Sequence, residues 1–235
     1  MTLKDEQQAV AKHPNPIDKN RSIVWARYHV DSDDWVLLAL KVTRRANAEG
    51  KQVPSLVTLA LVDHTNKVLF QSMIKASDMV SNEEIAQHGV DQSVVFQAKT
   101  FAEVTKMLSQ LVEHETTIVT WDPKATQQIF DELAELHGVP KTRWKSHGVA
   151  DELARFVGKT DNPMNGYERQ PLPILGIGAL DECKAVNKVI AEIAKASQTT
   201  DSIAGGDPGW TAEFYKPKIS AAAKDKFKGF FGLGH

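Results

Sequence analysis

The feature that most constrains this chain is the succession of segment types between Ser81 and Pro140: a polar loop, an amphipathic stretch, a short β-branched run and a second amphipathic stretch. Thr100 is a good N-cap and Glu103, three residues on, completes a capping box, so the spacing predicts a helix beginning there. Phe101, Val104, Met107, Leu108, Leu111 and Val112 recur at i, i+3, i+4, i+7 spacing and give that helix one buried face. Thr116 to Trp121 is short, β-branched and apolar, the composition of an interior strand. Pro123 sits where a first helical turn tolerates it, and Ile129, Phe130, Leu133 and Leu136 carry an apolar face to Gly138, a suitable C′ residue.

Upstream, Trp35 to Val42 is apolar except for Lys41, as a central strand would be. Leu56 to Val62 and Lys67 to Ile74 flank the turn Asp63-His64-Thr65-Asn66 and read as an antiparallel hairpin. Three strands, a helix, a strand and a helix make an α/β order that several folds share. Met1 to Arg21 has two prolines, many charges and no sustained period, and reads as a loose arm with room for one short helix. Ser22 to His29 reads as a strand or as an arm packed on the domain. Downstream, Asp151 to Val157 predicts a helical segment, a Pro- and Gly-bearing loop follows, and Ala179 to Ala194 closes the domain as a helix with Leu180, Val186, Val189, Ile190 and Ile193 inward. This divides the chain into an arm (1–34), a core domain (35–194) and a linker with tail (195–235).

Of the 235 residues, 42% are apolar and 25% charged, ordinary values for a globular protein, and no apolar run reaches the ~18 residues of a membrane span. With one cysteine, Cys183, an internal disulfide and a cysteine-based metal cage are both excluded. A polar opening segment and a single cysteine predict a cytoplasmic setting. The net charge of −2 argues against a generally basic nucleic-acid binder but leaves room for a local basic patch. Such a patch closes the chain: Lys216 to His235 holds five lysines against one Asp, interleaved with aromatic residues. Lys224, Phe227, Phe230 and Phe231 are candidates for docking a protein partner, with nucleic acid or a membrane surface next and a tail folded onto its own domain as the bland alternative. No Walker or Rossmann phosphate loop and no Ser-His-Asp order is readable.

The phrases AQHGV (Ala86 to Val90), KTFAEV (Lys99 to Val104) and FDELAELHGVP (Phe130 to Pro140), in this spacing, resemble the DnaQ-like (DEDDh) 3′-to-5′ exonucleases of the RNase H-like superfamily. The resemblance covers roughly Trp35 to Ile193. It implies an α/β, RNase H-like (DnaQ exonuclease) fold with a mixed five-stranded sheet flanked by helices, in which Val36 to Val42 is central. It also implies a nuclease site in which four carboxylates hold two divalent metals about 3.5 to 4 Å apart and a histidine serves as base.

Laid on this sequence, the family's motifs are degenerate. The acids of the first strand fall on Ala39 and Lys41, with a Thr retained at Thr43; the next acid falls on Thr126, and the terminal His and Asp fall on Ile177 and Glu182. A lysine in a metal site costs more than a neutral loss, since a unit charge about 4 Å from a dication opposes it by about 8 kcal/mol at an effective dielectric of about 20. Lys41 has two bland readings, facing out of the sheet or pairing with Asp122, and one sharp one, an ammonium standing where a metal's charge would be and able to hold a phosphate. Asp33, Asp34, Asp122, Asp181 and Glu182 could rebuild a displaced site, although such acids more often solvate loops and cap helices. His88 reads as a satisfied loop histidine, His64 and His137 as surface residues, and Trp121 as a core residue with base stacking as the minority role.

The expected function is thus a catalytically inactive exonuclease-like domain that binds nucleic acid or protein, without a cofactor. Lys41, Arg44, Arg45, His88 and Trp121 are its candidate contacts to single-stranded nucleic acid. The alternatives are an active Mg²⁺- or Mn²⁺-dependent exonuclease with relocated carboxylates, and an assembly subunit docked through its tail.

Overall fold

A computed structural model describes residues 13–75, 82–89, 98–113, 116–161, 166–174 and 176–198. A mixed five-stranded sheet lies between two helical layers. Its strands are β1 (Trp35–Ala46), β2 (Gln52–Asp63), β3 (Val68–Lys75), β4 (Thr117–Thr120) and β5 (Ser146–Gly148), in the order β3-β2-β1-β4-β5. β1 is central: it pairs antiparallel with β2 from Val36↔Asp63 to Ala46↔Gln52 and parallel with β4 from Trp35↔Thr117 to Leu37↔Val119. This is the three-strand grouping expected from the resemblance together with the apolar runs.

The hairpin turn forms because Asp63 Oδ1 accepts from the backbone N–H groups of Thr65 (2.8 Å) and Lys67 (2.9 Å), while Asn66 takes a left-handed φ of 67°. α2 (Asn82–Gln87) follows. α3 (Phe101–Glu113) starts at the capping box: Glu103 Oε2 accepts from Thr100 N–H at 2.8 Å, and Thr100 Oγ1 from Glu103 N–H at 3.3 Å. α4 (Pro123–His137) is capped by Asp122, whose Oδ1 accepts from Lys124 N–H (3.0 Å) and Ala125 N–H (3.2 Å), and ends at Gly138 in the left-handed region. α5 (Val149–Val157) and α6 (Ala179–Lys195) complete the domain.

The period of two along β1 sorts its side chains between two cores. Val36 and Leu38 join Phe101, Leu108, Phe130 and Leu133 under α3 and α4. Trp35, Leu37 and Ala39 join Cys183, Val186, Ile190 and Ile193 of α6 on the other face.

The arm reading needs correction. Residues Pro16–Asp31 form a helix, α1, which packs on α5 and α6 and places Ile23 and Ala26 in the second core, fully buried. Ser22 to His29 is therefore not a strand; it packs on the domain, as the other reading of this segment had it, and does so as a helix. Asn15 caps α1 by accepting from Ile17 N–H (3.1 Å) and Asp18 N–H (3.3 Å), and Pro16 holds the first helical position. Its inward face carries the polar residues Asn20, Ser22 and His29, which hides the apolar period a sequence reading depends on. The tail candidates Lys224, Phe227, Phe230 and Phe231 lie outside the described residues, as does everything after residue 198.

Candidate functional site

Beyond Ala39, the face of β1 that packs under α6 continues with Lys41 and Thr43, and β2 sets Ala60 opposite Ala39 and Thr58 opposite Lys41. α6 begins over this surface. Cys183 anchors it, its thiol pointing at the carbonyls of Ala60 (3.6 Å) and Leu37 (3.9 Å), and burial pushes that thiol far above the ordinary cysteine range. The residue before it, Glu182, is thereby held against the sheet. Its burial raises the carboxyl to about 7, with Lys41 pulling in the opposite direction. Among the described residues no salt bridge joins the two; Lys41 acts on Glu182 through space. Near neutrality the Glu182 carboxyl is only partly ionised.

The loop after α2 closes one side. His88, 1% exposed, sits between two hydroxyls of the sheet, with Thr43 Oγ1 2.6 Å from Nε2 and Thr58 Oγ1 2.9 Å from Nδ1. It is a satisfied histidine, as its loop position suggested. Gly89 follows with φ 61°, and a Cβ there would lie 2.9 Å from Ile177 Cγ1 and 3.2 Å from Gly178 N. Glycine is needed at this point both for the left-handed backbone and for the close approach to the start of α6. Lys41, Thr43, His88, Ile177 and Glu182 are thus gathered where β1, β2, the α2 loop and the α6 N-terminus meet. Ala39 forms the buried floor, 1% exposed, and Ile177 is 53% exposed at the rim.

The carboxyl ends of β4 and β5 form a second corner. Trp121, after β4, packs against the α1/α6 core, and its carbonyl accepts from Ala150 N–H at 3.0 Å. Asp122 does not pair with Lys41. Its free oxygen accepts from the Arg169 guanidinium, which also reaches Asp151 Oδ1 (2.9 Å from Nε, 2.8 Å from Nη2). Partial burial works to raise Asp122, yet the Ala125 N–H and Arg169 together hold it below the usual carboxylate range. Thr126 is buried one turn into α4, where its N–H donates to the Asp122 carbonyl.

Arg44 is not brought to Lys41. Even-numbered β1 residues face the other helical layer, and Arg44 Nη1 lies 2.7 Å from Glu132 Oε2 of α4. Arg45 shares the odd-numbered side of the strand with Lys41 and Thr43. Asp33 and Asp34 lie at the opposite end of β1: six residues of strand lie between Asp34 and Lys41, a span of about 23 Å. Asp34 accepts from the Tyr28 hydroxyl at 2.8 Å, and Asp181 accepts from Gly178 N–H at 3.2 Å to cap α6. The four acids weighed beside Glu182 as a relocated metal site are therefore dispersed, and Asp34, Asp122 and Asp181 are engaged by other partners. Among the described residues no group of three or more His, Cys, Asp or Glu side chains converges as a metal site would require. With Lys41 facing the single remaining acid, this donor set does not fit a pair of divalent metals.

No family model matches the chain, and no curated protein matches it. Solved structures do. A 3′-exonuclease in 3′-end-specific recognition of a histone mRNA stem-loop aligns with 13% identity over 69% of this chain and 82% of its own, at a TM-score of 0.44. The nuclease domain of 3′hExo, a DEDDh family member bound to rAMP, aligns with 11% identity over 68% of this chain and 92% of its own, at 0.41. Cell-death related nuclease 4 (CRN-4) aligns with 14% identity over 69% and 64%, at 0.32.

Several residues of the site were not foreseen. The sequence gives no local signal for Thr58, whose hydroxyl is recruited across the sheet, or for Arg169, whose two carboxylate partners lie 47 and 18 residues away. His29 and His147 form a partly buried contact on the α1 side, His147 Nδ1 3.3 Å from His29 Nε2. Only the packing of α1 brings them together.

Proposed function

We propose that this chain is an exonuclease-like domain that does not hydrolyse its ligand and binds single-stranded nucleic acid through the cleft between β1, the His88 loop and the start of α6. The observation that carries this reading is the charge at the cleft floor. Lys41 stands beside a carboxyl whose ionisation is suppressed, so the site repels a dication and attracts a phosphate. The positions that the resemblance assigns to metal-binding acids hold Ala39, Lys41 and Thr126, and its general base falls on Ile177. Among the candidate contacts, Lys41 supplies the phosphate contact, Arg45 a second cation on the same side, and Trp121 an aromatic plane at the neighbouring corner. His88 holds the loop in place and makes no contact with the ligand.

Fluorescence anisotropy with a labelled single-stranded oligonucleotide over a salt series tests this. Each phosphate neutralised on a single strand contributes about −0.7 to the slope of log K against log salt. Lys41→Ala should flatten the slope by about 0.7, whereas Arg44→Ala, which breaks the ion pair with Glu132, should leave it unchanged. Deleting residues 216–235 should also leave it unchanged. Binding that survives Lys41→Ala with an unaltered slope and vanishes with the tail would place the function in the tail.

A further inference from the structure

α1 is held to the domain largely by polar contacts. Its buried face sets Ile23 and Ala26 among Asn20, Ser22 and His29, so apolar burial fastens it less than it fastens α6, which buries Val186, Val189, Ile190 and Ile193. The other attachments are hydrogen bonds. Ser22 Oγ donates to Glu152 Oε2 of α5 at 2.9 Å, Arg27 donates to the carbonyls of Ala194 (3.1 Å) and Ala196 (2.9 Å) at the end of α6, and Trp35 Nε1 donates to the His29 carbonyl at 2.8 Å. His29, 1% exposed, completes the set against His147 of β5.

The partners of the two rings fix where their protons sit. His29 Nδ1 lies 2.8 Å from the Trp25 carbonyl, which can only accept, so that nitrogen carries a proton. In the neutral ring Nε2 is then bare and accepts from His147 Nδ1–H at 3.3 Å. A first added proton goes to His147 Nε2 and leaves this bond intact. A second has only His29 Nε2 to take it, where its N–H would point at the N–H of His147, between two cationic rings whose centres are 5.4 Å apart. The surrounding charges do not offset this. Burial lowers both histidines, His29 to about 4, against the pull of Asp34, whose Oδ2 already accepts from the Tyr28 hydroxyl at 2.8 Å. Near His147, Lys145 lowers it further and Glu152 of α5 raises it, but Glu152 is engaged by Ser22 and by Arg155 (2.7 Å). Asp31 at the end of α1 is exposed. α6 adds Ile190 and Ile193 to the core that α1 covers, and its Glu192 pairs with Lys195 at 3.1 Å.

We propose that the His29–His147 pair is an acid-released clasp: it holds α1 on the domain with no more than one proton, and the second proton frees α1 while the five-stranded sheet stays paired. Freed, α1 uncovers the apolar surface of the α5/α6 layer that Ile23 and Ala26 occupy. The direction follows from the lowered histidine: its contribution is complete above pH 6.5 and is lost as pH falls toward 4. Glu182 titrates the opposite way against the sheet whether α1 is docked or not, so in acid it supports the sheet and not the clasp. The clasp is separate from the cleft, and either can fail without the other.

Hydrogen–deuterium exchange of the full chain at pH 7 and pH 5, corrected for the intrinsic pH dependence of amide exchange, tests it. Protection over Pro16–Asp31 should fall by about tenfold or more between the two values, while that of Leu56 to Val62 in β2 stays within about threefold. His29→Phe should remove most of the fall in α1. His147→Leu, which takes away the second cation, should reduce it, and decides the matter if His29→Phe does not fold. Glu152→Gln, which keeps an acceptor for Ser22 and removes the charge, should behave as wild type does. A parallel loss of protection in α1 and β2, a fall unchanged in the histidine variants, or a fall abolished by Glu152→Gln would overturn the proposal.

Discussion

The chain keeps carboxylates at two neighbouring corners of its sheet and treats them in opposite ways. At the ends of β4 and β5, Asp122 and Asp151 share the Arg169 fork near solvent, and Asp122 is held ionised by Arg169 and two backbone N–H groups. Beneath α6, Glu182 has no such fork, and burial raises it to about 7 despite Lys41. Two acids on the same sheet thus carry different charges at neutral pH because one gained hydrogen bonds along with its burial and the other did not.

The largest expected effect comes from Glu182. An acid whose folded value is raised from 4.5 to about 7 stabilises the fold in its protonated form, and that contribution is lost as pH rises from 4.5 through 7. The loss amounts to up to about 3 kcal/mol. His29 does the reverse. Burial lowers it to about 4, although its hydrogen bond to the Trp25 carbonyl raises it; the neighbouring His147 lowers it further and Asp34 raises it. Its contribution is complete above 6.5 and is lost as pH falls toward 4, a similar magnitude of about 3 kcal/mol. His147, also lowered by burial, acts in the same direction. The Glu182 slope opposes the histidine slopes between about pH 4.5 and 6.5, so the urea stability of the wild-type protein should rise with pH less steeply there than that of Glu182→Gln. Glu182→Gln should expose a stability that rises with pH over that window, and His29→Phe one that falls with it. A wild-type profile as steep as that of Glu182→Gln would mean that Glu182 titrates as an ordinary surface acid.

A smaller effect is expected at the paired corner. Arg169→Ala removes two exposed ion pairs, worth about 1 kcal/mol together after solvent screening. It should weaken the protein at pH 7, where Asp122 is ionised, and the loss should shrink as pH falls through the lowered Asp122 value, as thermal unfolding at pH 7 and pH 3 would reveal. An equal loss at both values would assign Arg169 a packing role and erase the contrast between the corners.

How far the sequence exposes this arrangement follows from the range of the interactions. Patterns confined to a few residues are legible: the Thr100–Glu103 capping box, the Asp122 cap before Pro123, the apolar run of β1 and the Asp63 turn all form as their local chemistry dictates. α1 is not legible, because Asn20, Ser22 and His29 on its buried face break the apolar period, although Asn15-Pro16 with Asp18 carries the capping signal. At the site, the strand period alone separates Lys41 from Arg44, since residues three apart on a strand face opposite sides. The bonds of His88 to Thr43 and Thr58 and of Arg169 to Asp122 and Asp151 depend on how distant elements pack, and no spacing encodes them.

The central claim is that the cleft binds without cutting, and a 5′-labelled single-stranded oligonucleotide tests it most directly. The oligonucleotide is incubated with the protein in Mg²⁺ and in Mn²⁺ while its binding is followed by anisotropy in the same samples. The account predicts saturable binding, weakened by Lys41→Ala, with the oligonucleotide recovered at full length in both metals. Shortening from the 3′ end that disappears in Glu182→Ala would contradict it, and would show that Glu182 holds a metal in spite of Lys41.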